Sequence, residues 1–350
     1  MKKFILLFLI CTLTSTSSWA KTYNWRIAQS WEKDSLFSEA VNRFAEVSQK
    51  LSNGRIKITV DTQENLKNSA SIFDMVQKGQ YEMGHSDSSY WRKVDRNTLF
   101  FSSVPFGMIT PELYSWFYHG GGMDLMKKVY SKHGLLSFPG GNTGSQMVGW
   151  FRREVKCIEG LRGITMRMTG LGGEVMRNVG VNVVDTSVDQ LYPKLNSGEL
   201  DAVGFIGPAV DFKLGFYKIA PYYYTGWNAP SSEMQFLVNQ QKFDQLPDDL
   251  QKVIVAAMRL AAYDLYTKTL HENSEKLALI KKDFPNIKFR SFPSDVIRTL
   301  HRESTRLVQD IVDQGDGLTK EIVSSMEQYS RNMRSWTRIA DQAYLNNSAI

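Results

Sequence analysis

Cysteine is scarce in this sequence: Cys11 and Cys157 are the two in 350 residues. Cys11 falls in a leader-like segment, so the processed chain keeps Cys157 alone and no internal disulfide can form. The leader reading rests on Lys2 and Lys3 as a positive start, an apolar run from Phe4 to Leu13, and Ser18-Trp19-Ala20 as a small-x-small cleavage site before Lys21. That run is too short to span a bilayer and reads as a secretory signal, which predicts export. Phe8-Leu9-Ile10 before Cys11 lacks the small residue of a lipoprotein cleavage box. Stability in an oxidising compartment must then come from the core, which ~330 residues supply readily.

Long apolar runs are lacking as well. No later segment reaches 18 consecutive apolar residues, so the processed chain is expected to be soluble. Neither charge dominates: without Lys2 and Lys3, 40 basic residues face 36 acidic ones, a net charge of +4. The excess is scattered, which suits small anionic ligands and excludes a nucleic-acid-binding stripe. His85, His119, His133, His271 and His301 show no metal-ligand spacing, and no cysteine cluster exists, which argues against zinc. A G-x-S-x-G elbow and a Walker A loop are both missing. Gly170-Leu171-Gly172-Gly173 opens a helix after a strand, but Val175 occupies the third glycine position and the dinucleotide fingerprint fails. Tight strand–helix packing or an anion on helix N–H groups remain as uses of that turn.

What is present is globular: 42% hydrophobic, 22% charged and 12% aromatic residues. The length suggests two domains. Asn24–Ile27 reads as a strand, Ser35–Leu51 as a helix ended by Asn53-Gly54, and Arg55–Val60 alternates as a half-buried strand. A helix over Ser69–Lys78, a break at Gly79 and a strand near Tyr81–His85 complete an α/β unit. The theme repeats with strands at Ile164–Arg167, Val181–Val184 and Asp201–Val203, and helices over Gly172–Asn178 and Gln190–Ser197. Phe73–Met83 parallels Tyr192–Ala202: apolar helix, glycine stop, acidic residue, strand. The expected class is therefore α/β with two lobes of similar architecture. From Asp248 onward helices dominate (Asp248–Lys276, Ser294–Gln314, Thr319–Leu345), with Ile287–Phe289 as a lone strand. No low-complexity linker separates the lobes, so crossing strands must join them, which suits a hinge. The division expected is 1–20 signal, 21–145 mainly first lobe, 146–238 mainly second lobe, and 239–350 a helical region packing on both, with the chain crossing between lobes.

The segment from Gly140 to Pro230 carries long motifs. Gly141-Asn142-Thr143-Gly144-Ser145-Gln146-Met147-Val148-Gly149-Trp150-Phe151-Arg152 is one; Gly215-Phe216-Tyr217-Lys218 with Tyr222-Tyr223-Tyr224-Thr225-Gly226-Trp227 is another. With the leader before them, these motifs resemble the extracytoplasmic solute receptors of TRAP transporters (the DctP family), and among them the subgroup binding 2-oxo acids and lactate. The resemblance spans essentially the whole processed chain. It implies a type II-like periplasmic binding protein: two α/β lobes, a hinge, a long lobe-spanning helix, a helical C-terminus, and a ligand enclosed between the lobes. It implies no enzyme, a small 2-oxo or 2-hydroxy monocarboxylate as ligand, and transporter membrane subunits as partners.

Arg167 ends an apolar strand, where a planar guanidinium can grip a carboxylate through two charge-assisted hydrogen bonds. The resemblance places the carboxylate-binding arginine in this Met-Arg motif. It also implies that Gln146 contacts ligand and a bound cation. Asn142 is first a turn residue, with ligand contact as its second reading. Tyr90 could hydrogen-bond the ligand's oxygen or anchor the core. Phe205 stands where a tryptophan carbonyl of the subgroup touches the cation, but Gly204 replaces the acidic residue beside it, and Ala229 stands where another acid is usual. Glu233 is the nearest carboxylate. The metal set is thus left open among Gln146, Phe205 and Glu233, with a sodium or calcium ion bound beside the ligand as the cofactor to test; losing carboxylates weakens a divalent site. The Tyr222–Tyr224 run and Trp227 are expected to support the cleft from behind. Ile322, Met326, Tyr329, Met333, Trp336 and Ile339 form one apolar stripe that packs on the lobes or, as the resemblance implies, pairs two copies into a homodimer. The alternatives in function are a secreted enzyme acting on a carboxylic acid and a ligand-sensing partner of a membrane receptor.

Overall fold

The computed structural model describes residues 21–62 and 71–348. The leader, residues 1–20, and the expected helix start at Ser69 lie outside the described residues. β1 (Tyr23–Gln29) leads into α1 (Leu36–Leu51), whose N-cap Ser35 accepts a hydrogen bond from the Ser38 N–H. Phe37, Ala40, Val41, Phe44 and Val47 bury one face of α1. β2 (Ile56–Asp61), α2 (Ile72–Gln77) and β3 (Met83–Asp87) follow, then α3 (Thr110–His119), α4 (Gly122–Ser131) and β4 (Leu135–Asn142). The chain continues through β5 (Gly149–Phe151), β6 (Thr165–Arg167), α5 (Gly170–Asn178), β7 (Asn182–Val184), α6 (Val188–Ser197) and β8 (Ala202–Val203). α7 (Pro208–Leu214), β9 (Tyr222–Tyr224), β10 (Glu233–Asn239) and α8 (Gln240–Asp244) lead to α9 (Asp248–Asp283), β11 (Lys288–Arg290), α10 (Ser294–Gln314), α11 (Gly317–Ile339) and α12 (Asp341–Ser348).

The strands form two sheets, ordered β2-β1-β3-β10-β4 and β11-β9-β5-β8-β6-β7. In the first, β2, β1 and β3 run parallel and β10 lies antiparallel between β3 and β4. The second repeats this scheme: β7, β6 and β8 are parallel, and β5 lies antiparallel between β8 and β9. The internal repeat noted in the sequence maps onto α2–β3 and α6–β8, which occupy equivalent places. In each, a glycine in the left-handed region follows the helix, Gly79 at φ 70° and Gly198 at φ 87°, where the chain turns toward the strand.

The antiparallel strand of each sheet is a visitor. β5 enters the second sheet directly after β4 of the first, and β10, inside the stretch 146–238 read as mainly second-lobe, returns to the first. The two crossing segments are hydrogen-bonded to each other: the Gln146 N–H to the Ala229 carbonyl (2.9 Å), the Thr143 N–H to the Ser232 carbonyl (3.0 Å). A third connection is α9. Its 36 residues extend ~54 Å at 1.5 Å per residue, seven residues beyond the end read from the sequence. It packs on α1 and β4 of the first sheet's side and on α7 of the second's, and Asn273 accepts from the Ala209 N–H at 2.8 Å. α10 lies on α5, and α11 on α3 and α4. The late helix read as Thr319–Leu345 breaks at Ala340, so α12 is a separate piece.

Candidate functional site

A cleft of about 920 Å³ opens between the two sheets. Its walls follow from strand direction. Parallel strands end together, and the residues just beyond their carboxyl ends form one edge. On the first sheet that edge carries Ser30 and Trp31 after β1, and Asp87 with Tyr90 at the end of β3. On the second it carries Arg167 with Met168 after β6, Asp185 after β7, and Gly204 with Phe205 after β8; all line the cleft. The crossing segments add Gln146, Asn228, Ala229 and Ser232 to the floor.

Arg167 is 9% exposed. Its Nη1 donates to the Gly204 carbonyl at 2.9 Å, and the guanidinium lies 5.1 Å from the Phe205 ring. Its Nε–H is buried with no acceptor among the described residues. Asp185 and Asp211 are close enough to favour its charge, but neither forms an ion pair with it, and burial lowers its pKa. The free edge of this cation therefore has no ion-pair partner among the described residues. Tyr90, in the 3-10 turn Ser88–Trp91, is 41% exposed into the cleft, and the enclosing walls and Asp87 push its phenol pKa up.

Gln146 donates its amide N–H to Thr143 Oγ1 at 3.1 Å. Nearby, Asn228 Oδ1 is buried without a partner. Arg167, Gln146, Tyr90 and Phe205 thus meet in one space, as the sequence reading requires.

Asn142 and Glu233 do not join them. Asn142 closes β4 and Glu233 opens β10, and the two side chains turn toward each other behind the cleft. The Asn142 amide donates to Glu233 Oε2 at 2.8 Å, while its Oδ1 accepts from the Thr110 hydroxyl at 2.7 Å and the Gly144 N–H at 2.9 Å. Glu233 Oε1 accepts from the Gly141 N–H at 3.0 Å. The carboxyl is fully buried beside the Tyr114 phenol, and burial pushes its pKa up to about 7. In this arrangement neither Asn142 nor Glu233, read as a ligand contact and an ion ligand, lines the cleft. The glycine at 204 also has a packing reason. A Cβ there would lie 2.9 Å from the Val148 carbonyl oxygen and from Met168 Cε, so an acidic side chain has no room without displacing β5. Among the described residues no cluster of three or more His, Cys, Asp or Glu side chains could hold a metal ion.

The aromatic run stands behind the second sheet's edge. Tyr223 stacks on Trp150 with centroids 3.9 Å apart and donates to Asp211 Oδ2 at 2.9 Å, and Trp227 stacks on Phe106 at 5.4 Å. Asp211 also accepts from Trp150 Nε1 and from the Ile206 and Gly207 N–H groups, yet burial still raises its pKa to about 6. Trp31, Asp87 and Asn228 are among the lining residues that the sequence reading did not single out as ligand contacts. Trp31 is held by its indole N–H, which donates to Nδ1 of His85 at 2.6 Å; His85 Nε2 in turn bonds the Gly140 carbonyl at 2.9 Å. His85 is fully buried and its pKa falls to about 4, so it stays neutral. Asp87 carried a signal: the strand expected at Tyr81–His85 runs two residues further, which brings Asp87 to the carboxyl edge of the first sheet, across the cleft from Arg167.

Comparison with known proteins agrees with this geometry. A curated relative from Nostoc sp., a monocarboxylate 2-oxoacid-binding periplasmic protein, is 31% identical over 96% of this chain and 93% of its own length. A TRAP periplasmic solute-binding protein from Colwellia psychrerythraea, solved with calcium and pyruvate, is 44% identical with a TM-score of 0.91, covering 93% of this chain and all of that one. Another from Pseudoalteromonas atlantica, solved with sodium and pyruvate, is 45% identical with a TM-score of 0.89, covering 93% and 99%. These relatives are receptors, which sets the secreted-enzyme alternative aside. No helix of the described residues is long and apolar enough to cross a membrane. With residues 27–314 matching the bacterial extracellular solute-binding proteins of family 7, the chain belongs to that family (DctP), the periplasmic receptors of TRAP transport.

Proposed function

We propose that this receptor captures a small 2-oxo or 2-hydroxy monocarboxylate in the interlobe cleft and delivers it to the membrane subunits of a TRAP transporter. The observation that carries the reading is Arg167: a guanidinium nine-tenths buried, with Nη1 held by Gly204 and Nε left without an acceptor. An uncompensated buried charge is costly, and a ligand carboxylate at the Nε–Nη2 edge relieves it. The Tyr90 phenol then donates to the oxygen on C2, and Phe205 with Met168 covers the carbon chain. Because these groups sit on the edges of two different sheets, closure of the lobes about the crossing segments 143–148 and 225–232 completes the contacts. The division into 21–145, 146–238 and 239–350, with β10 reassigned to the first lobe, follows that hinge.

The pyruvate-bound relatives hold calcium or sodium. In this chain the donors fitting a cation are oxygens of amide type: Gln146 Oε1, the unpartnered Asn228 Oδ1 and the main-chain carbonyl of Phe205. Such an ion would neutralise charge beside the bound carboxylate. With alanine at 229, glycine at 204 and Glu233 turned away, no carboxylate belongs to the set, and hard divalent ions are held weakly. Calorimetric titration with pyruvate should give one site per chain and no turnover. Dialysis against chelator should change the affinity by less than about tenfold; no binding at all, or chemical conversion of pyruvate, would refute the receptor reading.

Residues 1–20 are taken as the export signal, so mature protein should begin at Lys21 by mass spectrometry. We also take α11 and α12 as a dimer contact. Ile322, Val323 and Met326 are buried against the chain's own α3 and α4 side, but the stripe continues outward with Trp336, Ile339, Tyr344 and Leu345 at 61%, 74%, 72% and 64% exposure. Contiguous exposure of that size suits an interface. Light scattering should give twice the chain mass, and removal of residues after Gly317 should give a monomer; a monomeric full-length protein at micromolar concentration would end the proposal.

A further inference from the structure

We propose that Asp87 is a specificity-determining residue that bars a second carboxylate from the cleft, so that monocarboxylates enter and dicarboxylates are refused. The inference rests on the reading of Arg167 as the carboxylate grip. Asp87 ends β3 on the wall opposite Arg167. Its Oδ1 is committed to the fold, accepting from the Ser89 N–H at 2.7 Å and the Ser102 hydroxyl at 2.9 Å. Among the described residues its Oδ2 has only the Ser232 hydroxyl, at 3.5 Å. Among the described residues no lysine, arginine or histidine forms an ion pair with it, and the carboxylate lines the cleft.

Tyr90 and Asp87 stand three residues apart on the first-sheet wall, and both line the cleft across from Arg167. A ligand whose carboxylate is held by Arg167 and whose C2 oxygen meets Tyr90 therefore brings its remaining atoms to the wall that carries Asp87. An alkyl tail finds Leu99, Met234 and Ala229 lining the same space. A terminal carboxylate finds a like charge instead, with no cation to answer it. Of the other cations lining the cleft, Lys213 sits on α7 and donates to the Asp34 carbonyl at 3.0 Å, and Lys33 lies in the loop after β1; both are exposed to solvent, which screens their charge. Repulsion within a partly enclosed site is worth roughly tenfold or more in binding.

The test compares 2-oxopentanoate with 2-oxoglutarate, which share five carbons and differ in the terminal charge. Calorimetry on the full-length processed protein should show pyruvate and 2-oxopentanoate binding and 2-oxoglutarate binding far more weakly. Asp87→Asn keeps an oxygen for the Ser89 N–H and removes the charge; Asp87→Ser offers a second capping side chain. In both variants the affinity ratio between the two five-carbon acids should narrow by about tenfold or more. A purely structural role for Asp87 would weaken both acids alike, and an unchanged ratio overturns the proposal. So does wild-type protein that accepts both acids equally, or one that refuses 2-oxopentanoate as firmly as 2-oxoglutarate, since length would then set the limit. Failure to bind pyruvate would strike the Arg167 reading itself, whereas bound pyruvate with an unchanged ratio strikes this inference alone.

Discussion

Arg167 and Glu233 are both ionisable groups buried at the end of a strand, one in each sheet, and the fold treats them in opposite ways. Glu233 is surrounded by donors: the Gly141 N–H, the Asn142 amide and, beside it, the Tyr114 phenol. Asp211, behind the second sheet, is likewise enclosed by two side-chain and two main-chain donors. Arg167 has one carbonyl acceptor and an idle Nε–H. The contrast separates structure from function by a physical criterion. For these three ionisable groups the fold satisfies the two carboxylates that serve it and leaves part of the bonding capacity of the arginine that lines the cleft unused.

That contrast can be broken most directly at Arg167. Arg167→Ala should lower pyruvate affinity by roughly thirtyfold to several thousandfold, the equivalent of about 2–5 kcal/mol for losing one partner of a buried charged contact. Its melting temperature should hold or rise, because the substitution also removes an unanswered buried charge. Arg167→Lys should lose at least about tenfold, since an ammonium cannot reproduce the fork. Calorimetry and thermal unfolding of the same samples read both effects, and a variant that unfolds early while binding normally would invert the assignment.

A smaller effect should sharpen the other side. Glu233 titrates at about 7 in the folded chain against an ordinary value of 4.5. Between those values the folded state keeps a proton that the unfolded state has lost. The stability this group contributes is therefore present below pH 4.5 and lost as the pH rises to 7. His85 acts with the opposite sign, losing stability as the pH falls from 6.5 to about 4, because only the unfolded chain takes up the proton. Glu233→Gln should remove the first slope, so its melting temperature relative to wild type should climb by roughly a few degrees between pH 4.5 and 7 and stay level above. A difference independent of pH would show that the carboxyl is ionised throughout.

Much of this architecture was legible because periodicity survives where an element has one wet face. α1, β2 and α10 alternate or repeat as such elements must, and their bounds agree with the sequence reading to within a residue. β10 was not legible: all seven of its residues are buried, so it shows no alternation. α9 packs on both lobes and distributes its apolar residues around its circumference, which is why its last two turns were missed. β4 ends in Pro139-Gly140-Gly141-Asn142, which reads as a turn although the strand continues through it. In the site, Arg167, Gln146 and Phe205 came from motif resemblance, and Tyr90 from its place just after a strand. That Asn142 and Glu233 turn toward each other, away from the cleft lining, was not legible, because a sequence does not show which face of a two-sided strand its ends present. Trp31 and Asn228 lie in short connections whose composition is ordinary.

The visiting strands have a consequence for how the chain is made. The first sheet needs β10, and β10 is synthesised only after every strand of the second sheet except β11. A fragment ending near residue 145 would lack the strand that joins β3 to β4, leaving both edges open. No single cut can therefore release either half as an intact unit, and the protein should acquire its native form only after residue 239 has emerged. For a polypeptide expected to cross a membrane as an extended thread, an architecture that cannot finish early keeps the chain fit for passage until nearly all of it is available.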